Sequence, residues 1–104
     1  MDFKTMSNKA VLAEIGGRIS RQRLNRNITQ ADLARRAGVS RIVVQRIESG
    51  SGSTFENLVR VLRILGLLDN LDVFVPDTGP SPIQLVELRG RERIRAAGKH
   101  LKKK

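Results

Sequence analysis

The chain has 104 residues, 39% of them hydrophobic, which is enough for one domain core and too little for two. It has no cysteine and a single histidine, His100, so disulfides, thiolate metal sites and a Ser/His/Asp triad have no basis, and we expect no enzyme, no metal and no cofactor. The net charge of +10 at pH 7 attracts nucleic acid or an anionic membrane surface.

Composition also narrows the kind of nucleic acid. Aromatic residues make up 3% of the chain, with no Trp or Tyr, whereas single-strand and RNA-binding proteins usually stack bases on aromatic side chains. Duplex DNA is therefore favoured over single strands. No apolar run approaches the ~18 residues of a membrane span, and the start MDFKTMSNKA offers no secretion signal. We expect a cytoplasmic protein that does not enter a membrane.

The N-terminal part is predicted to have a flexible start, residues 1–9, followed by a first helix from about Val11 to Asn25. Three apolar residues recur there at steps of three and four, which places them on one helix face: Leu12, Ile15 and Ile19. Glycine inside a helix costs ~1 kcal/mol relative to alanine. We therefore expect close packing to keep both Gly16 and Gly17 small.

Two short helices separated by a tight turn are predicted next. Thr29 begins the first as its N-cap, with Asp32 three residues later, and Gly38 ends it. Ser40 is a good N-cap for the second. The residues predicted to face inward are Leu33, Ala34 and Ala37 in the first of these helices and Val44 and Ile47 in the second.

A fourth helix has the clearest pattern. It is predicted to start at the capping box from Ser53 to Glu56, after the glycines at 50 and 52. Its apolar stripe at i, i+3, i+4, i+7 and i+10 consists of Phe55, Leu58, Val59, Leu62 and Leu65. A short fifth helix is predicted over residues 67–72, then an extended stub, Val73-Phe74-Val75, that ends at Pro76.

The C-terminal part, residues 76–104, is predicted to be a basic tail that is partly helical. Ser81 followed by Pro82 is an N-cap with proline at the first helical position. Eight Lys and Arg against Glu92 give residues 89–104 a net charge of +7. The expected organisation is thus a flexible start at 1–9, a DNA-binding domain at 10–75 and the tail.

Three short motifs carry a resemblance to a known family. The sequences TQADLA at 29–34, GVS at 38–40 and IESG at 47–50 resemble the Cro/C1-type, or lambda-repressor-like, helix-turn-helix family, also called the XRE family. The resemblance covers roughly residues 12–66. It implies an all-α fold with a five-helix DNA-binding domain, which is usually dimeric and recognises a palindromic operator in double-stranded DNA.

The resemblance also implies residue roles. In the family, the residue matching Gln30 contacts a phosphate and braces the recognition helix. The positions implied to contact DNA are Thr29, Gln30, Ser40, Arg41, Ile42, Gln45 and Arg46. The chemistry agrees, because Arg can bridge guanine O6 and N7, Gln can pair with adenine N6 and N7, and Ile42 can touch a thymine methyl group.

Other positions have structural interpretations. Arg23 and Glu48 resemble a family ion pair that ties the first helix to the end of the recognition helix. Val43 either packs against the second helix or faces the DNA groove, and the sequence leaves both open. Asp69 and Asp72 lack a third ligand nearby and are interpreted as solvated residues or a helix cap, not a metal site.

Dimerisation is expected because one recognition helix reads too few base pairs to stand out in a genome. A twofold dimer places two such helices ~34 Å apart, one turn of DNA. The candidate dimer residues are Leu67, Leu68 and Leu71 together with the stub Val73, Phe74 and Val75, whose free edge would pair with its symmetry mate.

Two biological settings fit a regulator of this size. One is a small repressor of its own operon. The other is the antitoxin of a toxin-antitoxin pair, since residues 81–90 resemble the ends of HipB-type regulators encoded beside HipA-type toxins. The alternative function is a protein-interaction module that neutralises a partner through its C-terminal tail, and the tail can equally act as an electrostatic DNA arm or stay disordered.

Overall fold

The computed structural model describes the backbone of residues 1–98 and the side chains of residues 1–92, so His100 and the last lysines lie outside the described residues. Every regular element of residues 1–98 is helical, which confirms the all-α prediction. The helices are α1 (Asn8–Asn25), α2 (Gln30–Ala37), α3 (Arg41–Ser49), α4 (Phe55–Ile64), α5 (Leu71–Phe74) and α6 (Pro82–Gly98), with short 3-10 turns at Phe3–Thr5 and Leu68–Asn70.

The chain forms two compact units, of which the first is Met1–Phe74 and the second begins at Val75. The first unit holds α1 to α5 and the hydrophobic core. The second unit holds α6, whose start is closed by a reciprocal pair of hydrogen bonds. The Gln84 amide N–H donates to Ser81 Oγ at 3.2 Å, and the Ser81 amide N–H donates to Gln84 Oε1 at 3.1 Å. The limits of residues 10–75 as the DNA-binding domain stay a prediction.

The core of the first unit lies between α1, α2, α3 and α4. Leu33, Val44, Val61 and Leu65 are fully buried at its centre. Leu33, Ala34 and Ala37 in α2 and Val44 and Ile47 in α3 are all buried, as predicted. Within residues 1–92 the buried hydrophobic residues are Ile19, Ile28, Leu33, Ala34, Ala37, Val44, Ile47, Val61 and Leu65.

The predicted apolar stripe of α4 is confirmed in part, because Leu65 is fully buried and Leu58 and Leu62 pack against the core. Val61, which lies outside the stripe, is fully buried, whereas Phe55, which opens the stripe, is exposed. Val61 lies beside the stripe, one turn before Leu65, so the buried side of α4 is shifted toward its C-terminal end. Leu58 and Leu62, at the edge of that side, also line a surface groove beside α1 and α5.

The starts of α2, α3 and α6 agree with the predicted caps, whereas the starts of α4 and α1 differ from the prediction. Thr29 and Ser40 accept hydrogen bonds from the first turns of α2 and α3, as predicted. The cap of α4 is Thr54, not Ser53, and it accepts from the amide of Asn57 at 3.1 Å. α1 begins at Asn8, three residues earlier than predicted, because Ser7 caps it by accepting from the amide of Ala10.

The predicted extended stub was wrong. Val73 and Phe74 belong to the helical turn α5, and Val75 follows as a bend. The preference of a Val-Phe-Val run for extended structure is weak and yields to packing. In α5 the ring of Phe74 stacks on that of Phe55 with 6.4 Å between centroids. No strand edge is therefore present in residues 73–75 to pair with a symmetry mate.

Close packing constrains one of the two adjacent glycines of α1. A Cβ atom at Gly16 would overlap the backbone carbonyls of Ile47 and Glu48, at the point where α1 crosses the end of α3. At Gly17 the nearest atom to a Cβ would be Arg21 Nη1 at 3.9 Å, an ordinary contact. The predicted need for a small residue is confirmed at Gly16 and wrong at Gly17.

The two glycines therefore predict opposite effects of the same substitution. Gly17→Ala should raise the free energy of unfolding by up to about 1 kcal/mol, because it improves helix propensity in open space. Gly16→Ala should lower it by about 1–3 kcal/mol, because α1 must move away from α3. Urea unfolding of the two variants beside the wild type measures both. Equal effects of the two substitutions would contradict the close crossing at Gly16.

Candidate nucleic-acid interface

The turn between α2 and α3 sets the angle of the two helices. Gly38 takes a left-handed conformation, with φ at +72°, which glycine adopts without steric cost. The amide of Val39 then donates to the carbonyl of Ala34 at 3.0 Å and closes the end of α2. Ser40 starts α3 two residues later. A helix, a tight glycine turn and a second helix are the helix-turn-helix arrangement.

α3 has one buried and one exposed side. Val44 and Ile47 are buried, and Val43, which the sequence left open, is half-buried and packs against the core. At about 100° of rotation per residue, the exposed residues cover an arc of about 140°. They are Arg41, Ile42, Gln45, Arg46 and Ser49. Ile42 is 65% exposed and adds an apolar side chain to this surface.

The predicted hydroxyl contacts lie at the starts of the two helices. Thr29 and Ser40 are exposed, and each hydroxyl oxygen accepts an amide N–H of its own helix, at 3.0 Å from Asp32 and 3.2 Å from Val43. The hydroxyl protons remain free to donate to a phosphate oxygen. Their contact with DNA stays a prediction.

A buried ion pair joins α1 to the end of α3. Arg23 Nε donates to Glu48 Oε2 at 2.7 Å and Arg23 Nη2 donates to Oε1 at 3.0 Å, a bidentate geometry. Arg23 Nη1 donates to the carbonyl of Ile28 at 2.7 Å. The two side chains are only 10% and 6% exposed. The pair is therefore architectural.

The protonation of this pair follows from its contacts. Burial alone would raise the pKa of Glu48, but hydrogen bonds from Arg23, Gln30 and Ser20 and the charge of Arg23 outweigh it, so the pKa of Glu48 lies below its ordinary value. The hydrogen bond to Glu48 raises the pKa of Arg23 further above its already high value, despite burial. Both groups are charged at neutral pH.

Gln30 lies between the ion pair and the surface. Its Nε2 donates to Glu48 Oε1 at 3.0 Å, and the residue is half-exposed. This hydrogen bond joins α2 to the end of α3, as bracing of α3 by Gln30 requires. The contact of Gln30 with a phosphate stays a prediction.

The exposed arginines differ in how free they are. Arg35 and Arg36 in α2 both pair with Asp32, which offsets part of their charge. Arg46 Nη2 donates to the carbonyl of Ser51 at 2.8 Å. Arg41 makes no ion pair among the described residues. The N-terminal end of α3 thus presents a guanidinium without a protein counter-charge.

One structural contact could not be found from sequence motifs. Arg26 Nη2 donates to the carbonyl of Leu65 at 2.6 Å, and Nη1 donates to Gln22 Oε1 at 2.7 Å. The contact ties the end of α1 to the end of α4, which lies 39 residues away along the chain. It also gives a partner to the side chain of Gln22. Contacts at that separation leave no local signal.

Metal and membrane interactions find no support in the described part of the chain. No group of three or more His, Cys, Asp or Glu residues there is placed to hold a metal ion, and Asp69 and Asp72 are both exposed. None of the described helices combines the length and apolarity that crossing a bilayer takes.

The fold and the exposed side of α3 together define a helix-turn-helix protein. A family model described as Helix-turn-helix matches residues 9–68, more than half of the chain. The chain belongs to this family, and the predicted resemblance to Cro/C1-type proteins is confirmed. Its members are DNA-binding transcription regulators, a class that agrees with the predicted one.

No curated protein matches the chain. A solved structure titled as a SinR protein/SinI protein complex contains a similar chain, with 23% sequence identity and a TM-score of 0.46. The match covers 80% of this chain and 98% of that one.

The buried ion pair predicts a large loss of stability when one partner is removed. Glu48→Ala leaves the Arg23 charge buried without its carboxylate, so the free energy of unfolding should fall by about 3–5 kcal/mol. Glu14→Ala is the matched control, because Glu14 pairs with Arg18 at 2.9 Å on an exposed part of α1. Glu14→Ala should lower the free energy of unfolding by less than about 1 kcal/mol. Chemical unfolding at pH 7 measures both values.

The pH dependence of that difference tests its electrostatic origin. Because folding lowers the pKa of Glu48, the stabilisation is complete above the ordinary pKa of a glutamate, about 4.3, and is lost as the pH falls through the lower folded value. The difference in free energy of unfolding between the wild type and Glu48→Ala should therefore become progressively smaller below about pH 4. If this difference stayed constant down to the lowest pH at which both proteins fold, packing and not charge would be its cause.

Proposed function

We propose that this chain binds double-stranded DNA in a sequence-specific way through the exposed side of α3 and represses its own operon as a dimer. The observation that carries the proposal is the exposed set at the start of α3, where Arg41, Ile42 and Gln45 project from a helix whose other side is buried. The N-terminal residues of such a helix are those that reach base edges in the major groove.

The three side chains supply different contacts to bases. Arg41 can donate two hydrogen bonds to guanine, and Gln45 can both donate to and accept from adenine. Ile42 offers an apolar surface to a thymine methyl group. Thr29, Gln30 and Ser40 lie at helix starts, where hydroxyl, amide and backbone N–H groups suit phosphate oxygens. The side chains of α3 would specify the base sequence, and the residues at the helix starts would fix the position of α3 on the duplex.

Repression of the chain's own operon is the form of regulation we infer, because a protein that covers a promoter blocks polymerase without needing a surface for it. A palindrome with half-sites one turn apart, in the chain's own promoter, is the expected operator.

Selection from random duplex DNA tests the proposal. The full chain should enrich a palindrome, and Arg41→Ala or Gln45→Ala should weaken binding to it by roughly 5- to 150-fold for each half-site, the equivalent of the ~1–3 kcal/mol of a bidentate base contact. The loss of discrimination between bases should be confined to one base pair in each half-site. Arg35→Ala, which removes an exposed arginine paired with Asp32 in α2, is the matched control and should keep the sequence preference.

An unchanged sequence preference in both Arg41→Ala and Gln45→Ala would contradict the proposal. So would a wild-type chain that enriches no sequence.

Dimerisation is proposed to use an apolar groove on the first unit. The groove has a volume of about 480 Å³ and lies between α1, α4 and α5. Among its lining residues are Leu12, Leu58, Leu62, Leu67, Leu71 and Phe74. Leu68 is half-buried nearby in the 3-10 turn, and Val73 and Val75 are exposed. A second copy would cover this surface with helical side chains, not with the strand edge that the sequence suggested.

Replacing the exposed Phe74 tests the proposed dimer surface. Phe74 is 63% exposed and lies outside the buried core, so Phe74→Asp should leave α1 to α4 folded, although it removes the stack on Phe55, and should convert the dimer to a monomer in sedimentation equilibrium. Leu24→Asp, which changes an exposed leucine near the C-terminal end of α1 that does not line the groove, is the control and should stay dimeric. A dimeric Phe74→Asp variant would show that the surface lies elsewhere.

A second candidate function rests on α6. Ile83 and Val86 are exposed on a well-capped helix, and isolated helices of this length gain most of their stability from packing. The tail would then bind a protein partner, such as a HipA-type toxin encoded beside the chain. Co-purification of a neighbour-encoded protein in stoichiometric amount, with no palindrome enriched, would favour this function over operator binding.

A further inference from the structure

Arg46 is held in place by the loop that follows α3. Its Nη2 donates to the carbonyl of Ser51 at 2.8 Å, and the amide of Ser51 donates to the carbonyl of Arg46 at the same distance. Gly50 makes this return possible, because it takes a left-handed conformation with φ at +81°. Ser49 Oγ also donates to the Arg46 carbonyl, at 3.2 Å. Arg46 and Ser51 therefore bind each other reciprocally.

This attachment turns the guanidinium toward the C-terminal end of α3. Arg46 is the sixth of the nine residues of the helix, and its charge favours the negative end of the helix dipole. Base contacts come mainly from the N-terminal residues of a recognition helix. Bidentate recognition of guanine also requires two guanidinium N–H groups that both point to the base edge. In Arg46 one terminal nitrogen is already bound to the Ser51 carbonyl.

Arg41 provides the contrast within the same helix. It lies at the first position of α3, is exposed, and has no carboxylate partner among the described residues. Its whole guanidinium is available to a base. The two arginines on the exposed side of α3 carry the same guanidinium group, but only that of Arg46 is bound to the protein backbone.

We propose that Arg46 is a backbone anchor, which is positioned by the Ser51 carbonyl, contacts a DNA phosphate and reads no base. The inference rests on the proposed DNA binding and assigns base reading to Arg41, Ile42 and Gln45. An arginine that is ordered before DNA arrives loses little conformational freedom on binding. A phosphate accepts from the free Nη1 and Nε groups without requiring a coplanar base edge.

Lysine substitutions separate the two roles. Lysine binds phosphate as a point charge but lacks the planar fork that bridges guanine. The test compares Arg46→Ala and Arg46→Lys with Arg41→Ala and Arg41→Lys in the full chain. The DNA panel contains the selected palindrome, its single-base variants and an unrelated duplex, and affinity is measured over a range of salt concentrations.

The expected result differs between the two positions. Arg46→Ala should weaken binding to every duplex by a similar factor, and it should lower the salt slope by about 0.9 for each phosphate that a subunit no longer neutralises. Arg46→Lys should restore most of the affinity and the slope. Arg41→Lys should remain impaired and should fail to discriminate at one base pair of each half-site.

Two results would overturn the anchor role while leaving DNA binding intact. One is a weakening in Arg46→Ala that is confined to a single base pair. The other is an Arg46→Lys variant that melts at the same temperature as the wild type but binds DNA as weakly as Arg46→Ala does. If the wild-type chain selects no palindrome, the proposed function fails, and if it binds no duplex at all, the anchor role fails with it.

Discussion

The attachment of α3 to α1 is the constraint on which the rest of the structure depends. The Arg23–Glu48 ion pair and the close crossing at Gly16 both act on the last residues of α3. A side chain can distinguish bases only if its helix is held still, because hydrogen bonds to base edges have strict geometry. The buried side of α3 therefore determines what its exposed side can read, and Gln30 extends this control from Glu48 toward the surface.

Much of the fold could be predicted where local chemistry decides it. The caps at Thr29 and Ser40, the left-handed Gly38 and the inward faces of α2 and α3 follow from residue type and helical spacing. Predictions were wrong where packing overrides local preference. The clearest case is Phe74, which stacks on Phe55 in a helical turn although its neighbours favour extended structure.

The candidate site was predictable to a similar degree. The resemblance located the exposed set on α3, and the structure places Arg41, Ile42 and Gln45 at the surface. The binding of Arg46 to a backbone carbonyl was not predictable, because any residue at position 51 presents the same carbonyl group. The apolar groove was equally hidden, since it is assembled from helices far apart in the sequence. Surfaces made by tertiary packing leave no motif.

The central claim is that the exposed side of α3 meets the bases of duplex DNA. The most direct measurement is a titration of the isotope-labelled full chain with its selected duplex, followed residue by residue through backbone and side-chain NMR signals. We predict the largest changes at Arg41, Ile42 and Gln45, including the Gln45 side-chain amide, with smaller changes at the start of α2. Changes confined to α6, with the signals of α3 unmoved, would contradict the account.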